Sequence, residues 1–87
     1  MIREEVTVKL KNGVNSRPAA MLVQVASRFS SKVFVEADNK RMNAKSIMGM
    51  MALGLDTGEV VTITADGADE EDAVKEIAAY LTQKGLG

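Results

Sequence analysis

The sequence predicts an α+β domain with helices packed on one face of a sheet, in the order β-α-β-β-α-β-α. Three observations carry this. Period-two alternation or short β-branched runs recur at four places along the chain. Two stretches, around residues 19–26 and 73–81, carry apolar residues at helical spacing. Between them Asp38-Asn39 has the composition of a hairpin turn. Strands alternating with helices around a central hairpin favour a layered α+β arrangement. At 87 residues the chain suits one domain, spanning 1–87. A domain of this size buries roughly 60–65% of its unfolded surface.

Each element has a local reason. Val6, Val8 and Leu10 alternate with Thr7 and Lys9, which predicts a half-buried first strand. Lys11-Asn12-Gly13 ends it in a turn. Ala19, Leu22, Val23 and Ala26 then fall on one helical face. Asn15 or Ser16 is the natural N-cap of that helix, and Pro18 is tolerated because the first turn leaves its N–H groups without internal partners. Val33-Phe34-Val35 forms the second strand, and Lys40 to Ala44 the return strand of the hairpin. Ser46 caps a short helix, Ile47 to Leu53, which has apolar residues on two faces; Met50 and Leu53 are the expected core residues. Val60 to Ala65 is a β-branched strand closed by Asp66-Gly67. The last helix opens on Asp69 to Asp72, where the helix dipole favours negative charge. It continues through Ala73, Val74, Ile77, Ala78 and Leu81, with Glu71 and Lys75 spaced to pair, and stops at Lys84-Gly85.

Composition removes several function classes. The chain has no cysteine and no histidine. Zinc, copper and haem sites therefore lose their usual ligands. The commonest general base is missing, along with the nucleophilic triads that depend on it. The expectation is a protein that is not an enzyme, with no metal and no cofactor. Helix-start electrostatics accounts for the acidic run Asp69 to Asp72 without a cation. No run of about 18 apolar residues and no secretion-type leader is visible, and a cysteine-free domain this small fits a reducing cytoplasm. Residues 1–50 carry nine basic and four acidic side chains, and residues 51–87 carry two and eight, so the near-neutral total hides a polarised chain. The basic half suits an acidic or phosphorylated partner. A membrane partner is not expected without such an apolar run, nor is nucleic acid, because the only aromatics are Phe29, Phe34 and Tyr80 and none is interleaved with a basic cluster.

Two motifs then add a family. Gly13-Val14-Asn15-Ser16-Arg17-Pro18-Ala19 resembles the phosphocarrier signature of HPr, which runs Gly, aliphatic, His, small, Arg, Pro, Ala. Lys45-Ser46-Ile47-Met48-Gly49 resembles the regulatory-serine motif of the same family, and the likeness continues through Met51-Ala52-Leu53-Gly54 and Gly67-Ala68-Asp69-Glu70. The resemblance implies an open-faced β-sandwich, a four-stranded antiparallel sheet with three helices on one face.

The family's phosphohistidine position holds Asn15. A carboxamide nitrogen is delocalised into its carbonyl and does not attack phosphorus. A chain with that histidine lost and Ser46 kept is similar to the catabolite-repression HPr-like branch of the family. That likeness implies phosphorylation of Ser46 by HPr kinase/phosphorylase, and binding of the phosphorylated form to catabolite control protein A as a corepressor. It also implies that Arg17, Ser46, Ile47, Met48 and Met51 form the partner-binding surface. Arg17 in a helix first turn is mildly unfavourable to the dipole, which fits a task outside the helix. Two alternatives stay open: a phosphotransferase-system carrier, if Asn15 replaces a native histidine, and a regulatory binder of metabolic enzymes. A homodimer by strand exchange is also left open.

Overall fold

A computed structural model gives the fold and describes residues 1–10, 16–53 and 57–82, excluding the side chains of residues 16–18. Four strands, β1 (Ile2–Thr7), β2 (Lys32–Ala37), β3 (Lys40–Asn43) and β4 (Val60–Asp66), alternate with α1 (Ser16–Ser27), α2 (Ile47–Leu53) and α3 (Glu70–Thr82). The sheet order is β1-β4-β2-β3, and every neighbouring pair is antiparallel. The expected α+β open-faced sandwich is what the chain adopts.

Alternation along the two central strands decides the layers. Val33, Val35 and Ala37 of β2 and Val61, Ile63 and Ala65 of β4 are buried under the helices. The intervening residues form the open face. Register sets Arg3, Thr64, Phe34 and Asn43 in one row across it, and Glu5, Thr62, Glu36 and Arg41 in the next. Glu36 lies 4.0 Å from both Arg3 and Arg41, and the Arg41 guanidinium sits 4.1 Å above the Phe34 ring. These exposed pairs contribute little individually; Thr64, which lies between Arg3 and Phe34 in its row, is 4% exposed. The hairpin turns at Asp38 and Asn39, with φ of 50° and 66°. Two left-handed central residues are what a type I′ hairpin turn requires, and Asp and Asn tolerate that region better than most.

Helices α1 and α3 bury the faces their spacing predicts, with one exchange. Ala19, Leu22 and Ala26 are buried, and Val25 is buried where Val23 was expected; Val23 packs half-buried at the core's margin. In α3 Ala73, Val74, Ile77, Ala78 and Leu81 are all buried. Glu71 and Lys75 stay exposed and do not bridge among the described residues.

The first strand differs from its expected span. It runs over residues 2–7, not 6–10, because its hydrogen-bonded register with β4 begins at Ile2 opposite Ala65. Arg3, Glu4 and Glu5 hide that part of the strand from a hydrophobicity pattern. Val8 and Leu10 still reach the core at 0% and 4% exposure. Beyond the strand, the Val8 N–H donates to Glu59 at 2.8 Å and the Val8 carbonyl accepts from Gly58 at 2.7 Å, while the Lys9 N–H donates to Leu81 of α3 at 2.8 Å. The Thr57 hydroxyl donates to the Leu10 carbonyl.

Asp69 departs further from its expected role. Its carbonyl starts α3 by accepting from Ala73 N–H at 3.0 Å, yet its carboxylate leaves the helix. One oxygen accepts from Ser30 N–H at 2.9 Å; the other accepts from Ser31 N–H at 2.9 Å and from the Ser31 hydroxyl. The acidic helix start is thus also a long-range clasp on the α1–β2 connection. The Ser31 hydroxyl is the largest cause, with the Ser30 and Ser31 amides beside it, of an Asp69 pKa lowered from the ordinary 3.8 to about 2, against an opposing desolvation. Gly67 completes the junction: a Cβ there would come within 2.6–2.9 Å of the Ser31 Oγ, Cα and Cβ atoms. Glu70 returns its carboxylate to the Gly67 N–H at 3.1 Å.

Two outcomes are expected. Gly67→Ala should destabilise the fold by about 1–3 kcal/mol, because the new methyl meets backbone and cannot be relieved by a rotamer change; urea unfolding measures this. Asp69 binds protons less readily folded than unfolded, so its contribution is present above its unfolded pKa and is lost as pH falls from about 4 through about 2. Asp69→Asn should lower the melting temperature at neutral pH and flatten its pH dependence in that acidic window, as thermal melts across it would register.

Candidate functional site

The short helix α2 is fixed at its start by its own flanking residues. Asn43, the last residue of β3, accepts the Lys45 N–H on its side-chain oxygen at 2.8 Å and the Ser46 N–H on its carbonyl at 3.0 Å. That turn stops the strand and aims the chain into the helix. Ser46 then caps α2: its hydroxyl oxygen accepts the Gly49 N–H at 3.1 Å, and its carbonyl accepts the Met50 N–H at 3.0 Å. This is the N-cap to N3 bond that serine favours. Lys45 reaches the other way, and its ammonium donates to the Phe29 carbonyl at 2.7 Å, just beyond α1. The charge that helix C-termini favour is supplied here from a distant segment.

The helix divides its apolar residues between core and solvent. Met50 is fully buried, and Leu53 is half-buried against the core, so both core assignments hold, Leu53 at the margin. Ile47, Met48 and Met51 are 46%, 82% and 47% exposed. Three large apolar side chains exposed on one short helix, next to a half-buried serine, form a patch of the kind that marks interaction surfaces. Methionine suits such a surface because its unbranched chain adapts to different shapes.

The structure brings Ser46, Ile47, Met48 and Met51 together on one element. Arg17 lies in the first turn of α1, the helix that packs against α2, and its side chain is outside the description. Asn15 also lies outside the described residues. Three contributors were missed at the level of sequence. Met21, on α1, is 44% exposed and adds a further surface methionine; its position off the Ala19–Leu22–Ala26 stripe was the available signal. Asn43 and Lys45 position the helix without belonging to the patch. An Asn three residues before a helix-capping serine hints at its turn, whereas nothing local announces that Lys45 reaches Phe29. Among the described residues no group of three or more His, Cys, Asp or Glu side chains could hold a metal, and no helix is long and apolar enough to cross a membrane.

Comparisons with known proteins agree with this geometry. Residues 2–83 match the family described as PTS HPr component phosphorylation site. The HPr-like protein Crh of Bacillus subtilis (strain 168) is 50% identical over 84 residues, covering 97% of this chain and 99% of that protein. The crystal structure of HPr-C-His from Thermoanaerobacter tengcongensis superposes with a TM-score of 0.92 at 47% identity, covering 100% of this chain and 98% of the other. The crystal structure of Bacillus subtilis Crh, described as revealing an unexpected swapping domain in a dimer, gives a TM-score of 0.78 at 50% identity, with 97% of each chain covered. On this likeness over nearly its whole length, the chain belongs to the HPr family.

Proposed function

We propose that this chain is a regulatory, Crh-like member of the HPr family, switched by phosphorylation of Ser46 and unable to carry phosphate on the residue-15 side chain. The observation that carries the reading is the pairing of a helix-capping Ser46 with exposed Ile47, Met48 and Met51, in a chain whose signature position holds Asn15 and which contains no histidine.

The chemistry of the switch follows from the cap. The Ser46 oxygen already accepts a backbone N–H from the first turn of α2. A phosphoryl group on that oxygen adds about −1.5 to −2 charges and three acceptor oxygens at a helix end that favours negative charge. The helix therefore tolerates the modification, and the new charge is offered to a basic group on a partner. Arg17 pairs an acidic group on the same partner, and the α2 side chains supply the apolar centre that excludes water around these charges. Resemblance to the histidine-lacking branch names the partners: HPr kinase/phosphorylase as the modifying enzyme and catabolite control protein A as the target, with the phosphorylated chain acting as corepressor in the cytoplasm. The dimeric Bacillus subtilis relative supports self-association of this chain as well.

Three outcomes test the reading. Incubation with phosphoenolpyruvate and enzyme I should leave the intact mass unchanged, whereas the serine kinase and ATP should add one phosphate at Ser46; an acid-labile label would refute the first part. Ser46→Ala should abolish kinase labelling and lower stability by about 0.5–2 kcal/mol through loss of the cap, while Met50→Ala should cost about 2–5 kcal/mol as a buried cavity. In titrations against catabolite control protein A, the phosphorylated form should bind more tightly than the unmodified one, and less tightly as salt rises. Arg17→Ala and Met51→Ala should each weaken it about fivefold or more while Ser46 remains a kinase substrate. Equal binding by both forms would refute the switch.

A further inference from the structure

Helix α2 sets exposed methionines beside a buried one. Met48 is 82% exposed and Met51 47%, whereas Met50 between them is 0% exposed. Met42 of β3 is half-buried against the core. The chain has no cysteine and no tryptophan, so no thiol or indole competes for an oxidant. Its thioethers are the most readily oxidised groups it carries, and access from solvent decides which of them react first.

We propose that Met48 and Met51 are sites of reversible oxidation by peroxide, and that their sulfoxides switch off docking of the α2 surface whatever the phosphorylation state of Ser46. This rests on the reading of that surface given above. The chemistry needs only hydrogen peroxide. A sulfur lone pair attacks one peroxide oxygen, an S–O bond forms and the O–O bond breaks. The departing hydroxide takes the proton from the transferred oxygen and leaves as water. Each sulfur gives up two electrons, and the peroxide accepts them. Methionine sulfoxide reductases, supplied with a dithiol reductant, reverse the step.

Loss of docking follows from polarity. A thioether is a flexible apolar group that fits the dry centre of a contact. Its sulfoxide is polar, and the new oxygen is an acceptor that an apolar partner surface leaves unsatisfied. The fold itself is spared. Met50, the Asn43 turn and the Ser46 bond to Gly49 hold α2, and none of them uses an exposed sulfur. Phosphate on Ser46 and oxygen on the neighbouring sulfurs therefore act on one surface in opposite senses. The first adds charge for a partner to pair, and the second removes the apolar contact that shields that charge from water.

Peroxide titration of the full chain, read by intact mass and peptide mapping, tests the sites. Oxygen should add first at Met48 and then at Met51, with Met50 spared until urea unfolds the chain, and thermal melts should show the oxidised chain still folded. Preferential reaction of Met50 in the folded chain would overturn the assignment. For docking, the Ser46-phosphorylated chain is oxidised, the peroxide is removed with catalase, and the product is titrated against catabolite control protein A. Affinity should fall about tenfold or more, and sulfoxide reductases with dithiothreitol should restore it. The double variant Met48→Leu, Met51→Leu, compared with itself before and after peroxide, should keep whatever affinity it starts with; a loss in that variant would overturn the assignment to these two residues. An oxidised wild-type chain that binds like the reduced one would overturn the inference and leave the serine switch standing. Equal binding by the phosphorylated and unmodified chains, lost from both on oxidation, would overturn the serine switch and uphold the oxidation sites. No binding by either reduced form would overturn both.

Discussion

The carboxylate of Asp69 holds the molecule's central junction. It binds Ser30 and Ser31 at the entrance to β2, while its own backbone begins α3 directly after β4. The two middle strands and the helix that covers them are therefore tied at one end by a single side chain. Gly67 makes the approach possible, because only a residue without a side chain lets the β4–α3 turn lie against Ser31. Once these pieces are fixed, the register of β4 with β2 and the placement of α3 over β1 and β4 follow. Three donors converging on one charged acceptor are stronger than neutral bonds of the same number.

The opposite side of the fold follows a different logic. Helix α2 has only Met50 fully in the core, and its start is held by two local bonds, the Asn43 turn and the Ser46 cap, and by the longer-range contact of Lys45 with Phe29. This leaves most of its surface free of structural duty. Ile47, Met48 and Met51 can thus be selected for what they touch outside the molecule, while the core is maintained elsewhere. The serine is where the two roles meet, since one oxygen both caps the helix and is the proposed acceptor of phosphate.

The parts of this architecture visible in the sequence are those written in local patterns. Element order, the Asp38-Asn39 hairpin, the Ser46 cap and the buried stripe of α3 all rest on residues within a few positions of one another. The rest depends on contacts between distant segments. Asp69 looked like an ordinary acidic helix start because Ser30 and Ser31, its real partners, lie almost 40 positions away. The start of β1 was hidden because a strand at a sheet edge can carry Arg3, Glu4 and Glu5 without cost to the core. The spacing of Glu71 and Lys75 suggested a pair that exposed side chains do not form. Periodicity raised the two-faced character of α2, and family likeness assigned its exposed residues; packing then separated Met50 from its neighbours. Met21 shows the limit of that approach, as an exposed apolar residue that no motif marked.

The sheet order also bears on how the chain reaches its native state. β2 and β3 are joined by a two-residue turn, so they can zip together early. β1 has no such neighbour: its partner is β4, and Ile2 must find Ala65 near the far end of the chain. Loop-closure entropy makes that the costliest of the three strand pairings to close. Until it occurs, one edge of the most buried strand in the sheet stands open, and a nascent β1 from another molecule fits it as well as the chain's own. Kinetic competition between these two donors, set by concentration during refolding, is therefore inherent in the topology and independent of any surface designed for assembly.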